Sequence, residues 1–270
     1  MAELSATLSI YRRLVGARIR ADWQYRTSFV FFLLGQVMAS SADLGAIAVI
    51  FANVKALAGW DAYEVVFLYG MSGLAFGLGD IFVSQVESAS VHIKAGTFDT
   101  FLIRPMGALW QLSAREFALR RVGRIVQPIV ALAVSLATFD LAWTPARVVL
   151  LPLTLGCGIL IFASVWVVTS SIAFWTVETQ EVASSFTYGG NAITGYPIDV
   201  LGRWLRRLAV FVVPLASIVY LPGCALFDKP MPFGLPRWTA WTGPAVALAA
   251  VLIARTVWAL AIRHYRSTGS

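Results

Sequence analysis

From Trp241 to Ile262 the chain carries a single ionisable side chain, Arg255. A helix of that length spans the ~30 Å hydrocarbon core of a bilayer. No other feature constrains the fold as much, because backbone N–H and C=O groups in lipid must be satisfied within the segment, as a helix does. The pattern recurs at Ser28–Val54, Tyr63–Val86, Ile125–Trp143 and Val148–Phe174. With 59% hydrophobic and only 13% charged residues, the chain lies well outside the soluble range of about a quarter charged. The class that follows is an all-α polytopic membrane protein.

The net charge of +7 does not point to nucleic acid, because the basic residues fall in the intervals between spans, as the positive-inside rule expects. Arg12, Arg13, Arg18, Arg20 and Arg26 precede the first span, and Lys94, Arg104, Arg115, Arg120, Arg121 and Arg124 follow the second. Arg263 and Arg266 close the chain. That asymmetry predicts a cytoplasmic N-terminus and a cytoplasmic C-terminus. Residues 1–27 place Leu4, Leu8, Tyr11, Val15, Ile19 and Trp23 on one helical face, the pattern of an amphipathic helix lying in the headgroup layer. The two cysteines and two histidines are scattered, which suits neither a disulfide framework nor a metal site.

Within the spans, Asp43 and Arg255 are the embedded charges. Such residues are costly in lipid and usually face a protein interior or an aqueous cavity. Arg255 is also close enough to the chain's end to snorkel to the inner headgroups. Gly73 and Gly77 have the small-xxx-small spacing that lets two helix backbones approach closely. Asp80 is a further acidic residue near the inner end of the second span.

The longest polar interval, 87–124, contains Val-His-Ile-Lys-Ala-Gly-Thr-Phe-Asp-Thr-Phe-Leu-Ile-Arg-Pro at 91–105. Val91 and Ile93, then Phe98, Phe101 and Leu102, predict two short amphipathic pieces with a bend at Gly96, where positive φ costs nothing. Thr97 or Asp99 is placed to cap the second piece, and Pro105, with Arg104 held extended before it, ends it.

The region 178–227 leaves two choices for a fifth span. Hydropathy and the charge rule favour Leu208–Phe227, although Pro214 and Pro222-Gly223 interrupt it. The alternative, Glu181–Tyr196, is rich in small residues and only weakly apolar, and it places Arg203, Arg206 and Arg207 on the outer side. Both cannot cross if the tail is to be cytoplasmic.

Together, the basic leading helix, Lys-Ala-Gly-Thr-Phe-Asp-Thr-Phe-Leu-Ile-Arg-Pro at 94–105, Gly195-Tyr196-Pro197-Ile198, Phe211-Val212-Val213-Pro214 and Tyr220-Leu221-Pro222 resemble the permease subunits of bacterial type-2 ATP-binding-cassette (ABC) exporters of the daunorubicin-type branch. The resemblance covers essentially the whole chain, 1–270, as one transmembrane domain. It implies six transmembrane helices, the fifth short and polar at Glu181–Tyr196, and a re-entrant outer hairpin at 208–227. It further implies a cytoplasmic coupling helix in the 87–124 loop, docking a separate ABC ATPase through Ile93, Lys94, Gly96, Phe98, Asp99, Phe101, Leu102 and Arg104. A second permease subunit, identical or a sister, completes the pathway in the bacterial inner membrane.

No Gly-x-x-x-x-Gly-Lys phosphate loop exists, since none of Lys55, Lys94 and Lys229 follows a glycine. ATP and Mg are therefore expected on the partner subunit, and this chain is expected to bind no cofactor and to catalyse no reaction. The competing class is a secondary, ion-coupled transporter with ionisable residues near the midplane, for which Asp43 and Arg255 are the candidates.

Overall fold

The computed structural model describes residues 16–17, 20, 24 and 26–265, apart from Pro105, 116–118, Asp140, 177–179 and Pro214. The expected interfacial helix at 1–27 thus lies almost wholly outside the described residues, and Arg266 does so entirely. The described residues are helical, with no strand among them beyond an isolated bridge from Leu57 to Trp60. The longer helices are α1 (Arg26–Asn53), α2 (Ala62–Phe82), α6 (Gly123–Thr138), α7 (Pro145–Ser171), α8 (Gln180–Thr194) and α11 (Gly243–His264). Between them lie the short helices α3 (Ala89–Lys94), α4 (Asp99–Leu102), α5 (Ala108–Arg115), α9 (Arg203–Arg207) and α10 (Tyr220–Leu226).

Four of these are long and apolar enough to cross a membrane: Leu33–Asn53 within α1, Ala62–Phe82, Pro145–Phe174 with the short turn that follows α7, and Gly243–His264. The expected third span, Ile125–Trp143, is shorter than its apolar run. The helix stops at Thr138 with Phe139 extended. Pro145 then opens α7, with the Thr144 hydroxyl accepting the Arg147 N–H at 3.4 Å, so Leu141–Trp143 serve as connector. At 16 residues and 1.5 Å per residue, α6 is about 24 Å long.

Helix α2 is the centre of the bundle and packs on both α6 and α7, while α11 packs on α7 and α1 rests on α6. Glycines set the closest approaches. A Cβ on Gly73 would lie 2.8 Å from Pro128, and one on Gly77 would lie 2.5 Å from Ile125. The Gly73–Gly77 face is therefore filled by α6. On α7, Gly158 plays the same part: a Cβ there would meet Ala75 of α2 at 2.9 Å and Ile218 at 3.1 Å.

The segment Leu208–Phe227 is not one helix. It consists of a π turn at Leu208–Val212, a 3-10 turn at Leu215–Ser217 and α10. Ile218 reaches Gly158, halfway along α7, and Gly223 sits within 2.9 Å of Leu68 for a built Cβ. The chain then emerges beside the starts of α2 and α7. Lys229 pairs with Glu64 at 2.8 Å, and Asp228 pairs with Arg147 at 2.5 Å and with Arg237 at 3.1 Å. Glu64 itself accepts the Asp61 N–H at 2.7 Å, closing the first turn of α2. Arg206 belongs to this end too, paired with Asp199 at 3.0 Å and lying 4.8 Å over the Phe233 ring.

Candidate functional site

Two sites emerge, a surface at one end of the bundle and a cavity within it. The surface begins where α2 ends. A 3-10 turn, Ser84–Ser88, leads into α3, and Gly96 reverses the chain at φ 65°. The His92 carbonyl accepts the N–H groups of Thr97 at 2.9 Å and Phe98 at 3.2 Å, so the bend is closed by the backbone. Neither Thr97 nor Asp99 occupies the N-cap position of α4. Phe98 precedes α4, and the Thr97 hydroxyl turns back to the His92 imidazole at 2.9 Å.

Below the bend, Phe98 and Phe101 point into the protein. Phe98 is wholly buried, with ring contacts at 5.1 Å to both Phe174 and Tyr265. Val86, Ala89, Leu112, Val167 and Trp258 complete the cluster. The Gln111 side-chain amide donates to the Phe101 carbonyl at 2.8 Å and also to that of Met106, fastening α5 under α4. The opposite side of the loop is apolar and open: Ile103 is 83% exposed and Leu102 41%, with Val91 and Trp110 also exposed. Lys94 and Arg104 are exposed beside them. The expected docking set is thus split in two. Lys94, Leu102 and Arg104 face out, Phe98 and Phe101 face in, and Ile93, Gly96 and Asp99 are half-buried. Ile103, the most exposed residue of this apolar face, lies outside the expected set, although a bulky apolar residue just before an Arg-Pro stop was a readable signal.

The loop is tied to the bundle by charge as well. Asp80, fully buried, receives Arg121 at 2.5 Å and Arg124 at 2.7 Å. Arg121 also donates to the Ser84 hydroxyl. Arg124 further donates to the Tyr188 hydroxyl at 3.2 Å, joining α6 to α8. Glu87 accepts the Trp166 indole N–H at 2.8 Å. Burial pushes the Glu87 carboxyl up, and that hydrogen bond with the nearby Arg121 guanidinium pulls it partly back.

The cavity, about 320 Å³, opens between α1, α2, α6 and α8. Gln36 and Asp43 come from α1, Tyr69, Gly73 and Phe76 from α2, and Arg124 and Pro128 from α6. Tyr188 and Asn191 come from α8, with Tyr196 just beyond it. Ser72 fixes α8 here, its hydroxyl 3.3 Å from Asn191 and 2.5 Å from the Thr194 hydroxyl. Asp43, itself exposed, lines this recess, and Arg255 also stands exposed, on α11 beside the buried Ala254. The structure does not bring the two embedded charges together.

Residues 37–269 match the family model for ABC-2 family transporter protein. No curated protein and no solved structure matches the chain. The matched range takes in α1 from Val37 onward, the later helices, the loop between α2 and α6, and the cavity wall apart from Gln36. The chain accordingly belongs to the ABC-2 transporter family, as the membrane permease component of an ABC transporter and not a catalytic subunit of it.

Proposed function

We propose that this chain is one half of an exporter of the daunorubicin-type branch in a bacterial inner membrane, paired with an identical or sister permease. Both termini are cytoplasmic, and a separate ABC ATPase, carrying ATP and Mg, docks beneath the 87–124 loop. Members of this family generally work with such an ATPase. The observation that carries the reading is the two-sided loop. Phe98 and Phe101 hold it to the ends of α7 and α11, while Leu102 and Ile103 offer an unfilled apolar face. A push on that face is delivered to the helix ends directly, which a tether could not do.

The topology proposed has six passages, with α6 and α8 as short members. Leu208–Phe227 enters from outside, turns near mid-depth and returns. The contact of Ile218 with Gly158 and the emergence of Asp228 and Lys229 beside Arg147 and Glu64 support it. Freed backbone groups at such a break lie against protein, where they can be satisfied. A secondary transporter needs coupled ionisable groups at the midplane, and Asp43 and Arg255 stand apart.

The test is Ile103→Asp, assayed by co-purification of the ATPase. Placing a carboxylate in an apolar contact costs several kcal/mol, so ATPase recovery should fall at least tenfold while the permease stays at its normal membrane level. Unchanged recovery would remove the docking role.

A further inference from the structure

We propose that α9 and the turn that follows it hold the phosphate of an anionic phospholipid of the outer leaflet, through Arg203 and Arg207. This site rests on the permease topology proposed above, which puts that end of the bundle outside. The short helix Arg203–Arg207 carries three arginines, where the positive-inside rule disfavours basic residues. Arg206 is used by the protein itself, held between Asp199 at 3.0 Å and the Phe233 ring at 4.8 Å. Arg203 and Arg207 are exposed, and among the described residues no carboxylate lies within ion-pair distance of either. Nearby carboxylates at this end are already taken: Glu64 by Lys229, and Asp228 by Arg147 and Arg237. Four positions apart on a helix, Arg203 and Arg207 are neighbours on one face, and Trp204 flanks them at about 100° around the axis.

Beside the two cations runs an apolar strip. Trp204 is 70% exposed, and in the π turn Phe211 and Val212 are exposed while Ala209 and Val210 are buried. One side of this stretch is thus fixed to the core and the other is open. The Phe211 ring lies 5.7 Å from that of Phe233, in the connection to α11, and just before α11 stand the exposed Trp238 and Trp241. Indole rings gather at headgroup level, so Arg203 and Arg207 stand at the depth of lipid phosphates. Guanidinium forks match phosphate oxygens in a bidentate manner. The apolar strip next to them fits an acyl chain, which a soluble anion lacks. A zwitterionic head brings its own ammonium group, so a head with net negative charge is the better match. The opposite side of α9 is tied by Arg206 to Asp199, which also accepts the Tyr220 hydroxyl. A lipid bound here therefore pins the root of the re-entrant segment to the membrane surface.

The experiment places p-benzoylphenylalanine at position 204 of the full chain, held with its ATPase in nanodiscs of equal parts phosphatidylglycerol and phosphatidylcholine. After irradiation, mass spectrometry sorts the adducts by lipid class. Phosphatidylglycerol adducts are expected to exceed phosphatidylcholine adducts by about threefold or more. Arg203→Gln combined with Arg207→Gln should bring the two to parity, whereas Arg203→Lys combined with Arg207→Lys keeps the charge and most of the excess. Both positions are exposed, so neither pair of changes removes a packing contact of the core. Equal capture of the two lipids without these changes, an excess that survives the glutamine pair, or adducts with protein in place of lipid overturns the proposal. Sidedness is read separately, by impermeant maleimide on cells carrying Arg206→Cys with Cys157→Ser and Cys224→Ser. If position 206 labels from outside but the lipid preference is absent, only the lipid site falls. If it labels only after the cells are opened, the proposed topology falls, and the outer-leaflet assignment with it.

Discussion

Asp80 shows how one residue can join a loop to a bundle. Its carboxylate has no solvent exposure and two guanidinium partners, which are themselves mostly covered. Removing one side of a buried ion pair leaves the other charge unmatched, typically at a cost of about 3–5 kcal/mol. Asp80→Asn keeps the shape and deletes the charge. It should lower the thermal unfolding midpoint of the detergent-solubilised permease by several degrees, read by thiol-reactive dye labelling of the buried Cys157 and Cys224. An unchanged midpoint would mean that the cluster contributes nothing to folding. None of this was legible from spacing. Asp80 was visible as an acid near a span end, and Arg121 and Arg124 as loop charges, but 41 and 44 residues separate them from it. Only packing of α6 on α2 brings them together. Asp43 was legible, because a carboxylate inside an apolar run stands out without any fold.

At the scale of elements, sequence and structure agree where a local cause operates. Gly96 turns at positive φ and the two pieces either side of it form, since a glycine between amphipathic segments needs no tertiary help. Which face of those pieces is buried depends on α7 and α11, and the pattern could not reveal that Phe98 would meet Phe174 and Tyr265. The broken stretch after α8 is a similar case. Pro222-Gly223 and Pro214 forecast interruption, and the segment is interrupted, yet its course depends on small residues elsewhere, Gly158 above all. A single cysteine at Arg206 in a Cys157→Ser, Cys224→Ser background decides the course. Labelling by an impermeant maleimide from outside is the expected outcome, and labelling only after the cells are opened would make Leu208–Phe227 an ordinary fifth passage.

For the molecule as a whole, the helices divide the work. The α2/α6/α7/α11 group is fastened by glycine contacts and aromatic clusters, whereas α1 leaves Phe31, Leu34, Met38 and Val49 exposed along its length. In a bilayer that face meets lipid or another subunit, and a second permease copy is the occupant proposed for the pathway. Force from a docked ATPase would enter through Leu102 and Ile103, pass through Phe98 into α7 and α11, and reach α6 and α8 through the Asp80–Arg124–Tyr188 chain. The most direct test places a photocrosslinking amino acid, p-benzoylphenylalanine, at position 103 or at position 98 of the full chain in membranes that also hold the ATPase. The expected result is an adduct with the ATPase from position 103, and from position 98 only links within the permease itself. Capture of the ATPase from position 98, or none from position 103, would contradict the assignment of the two faces of the loop.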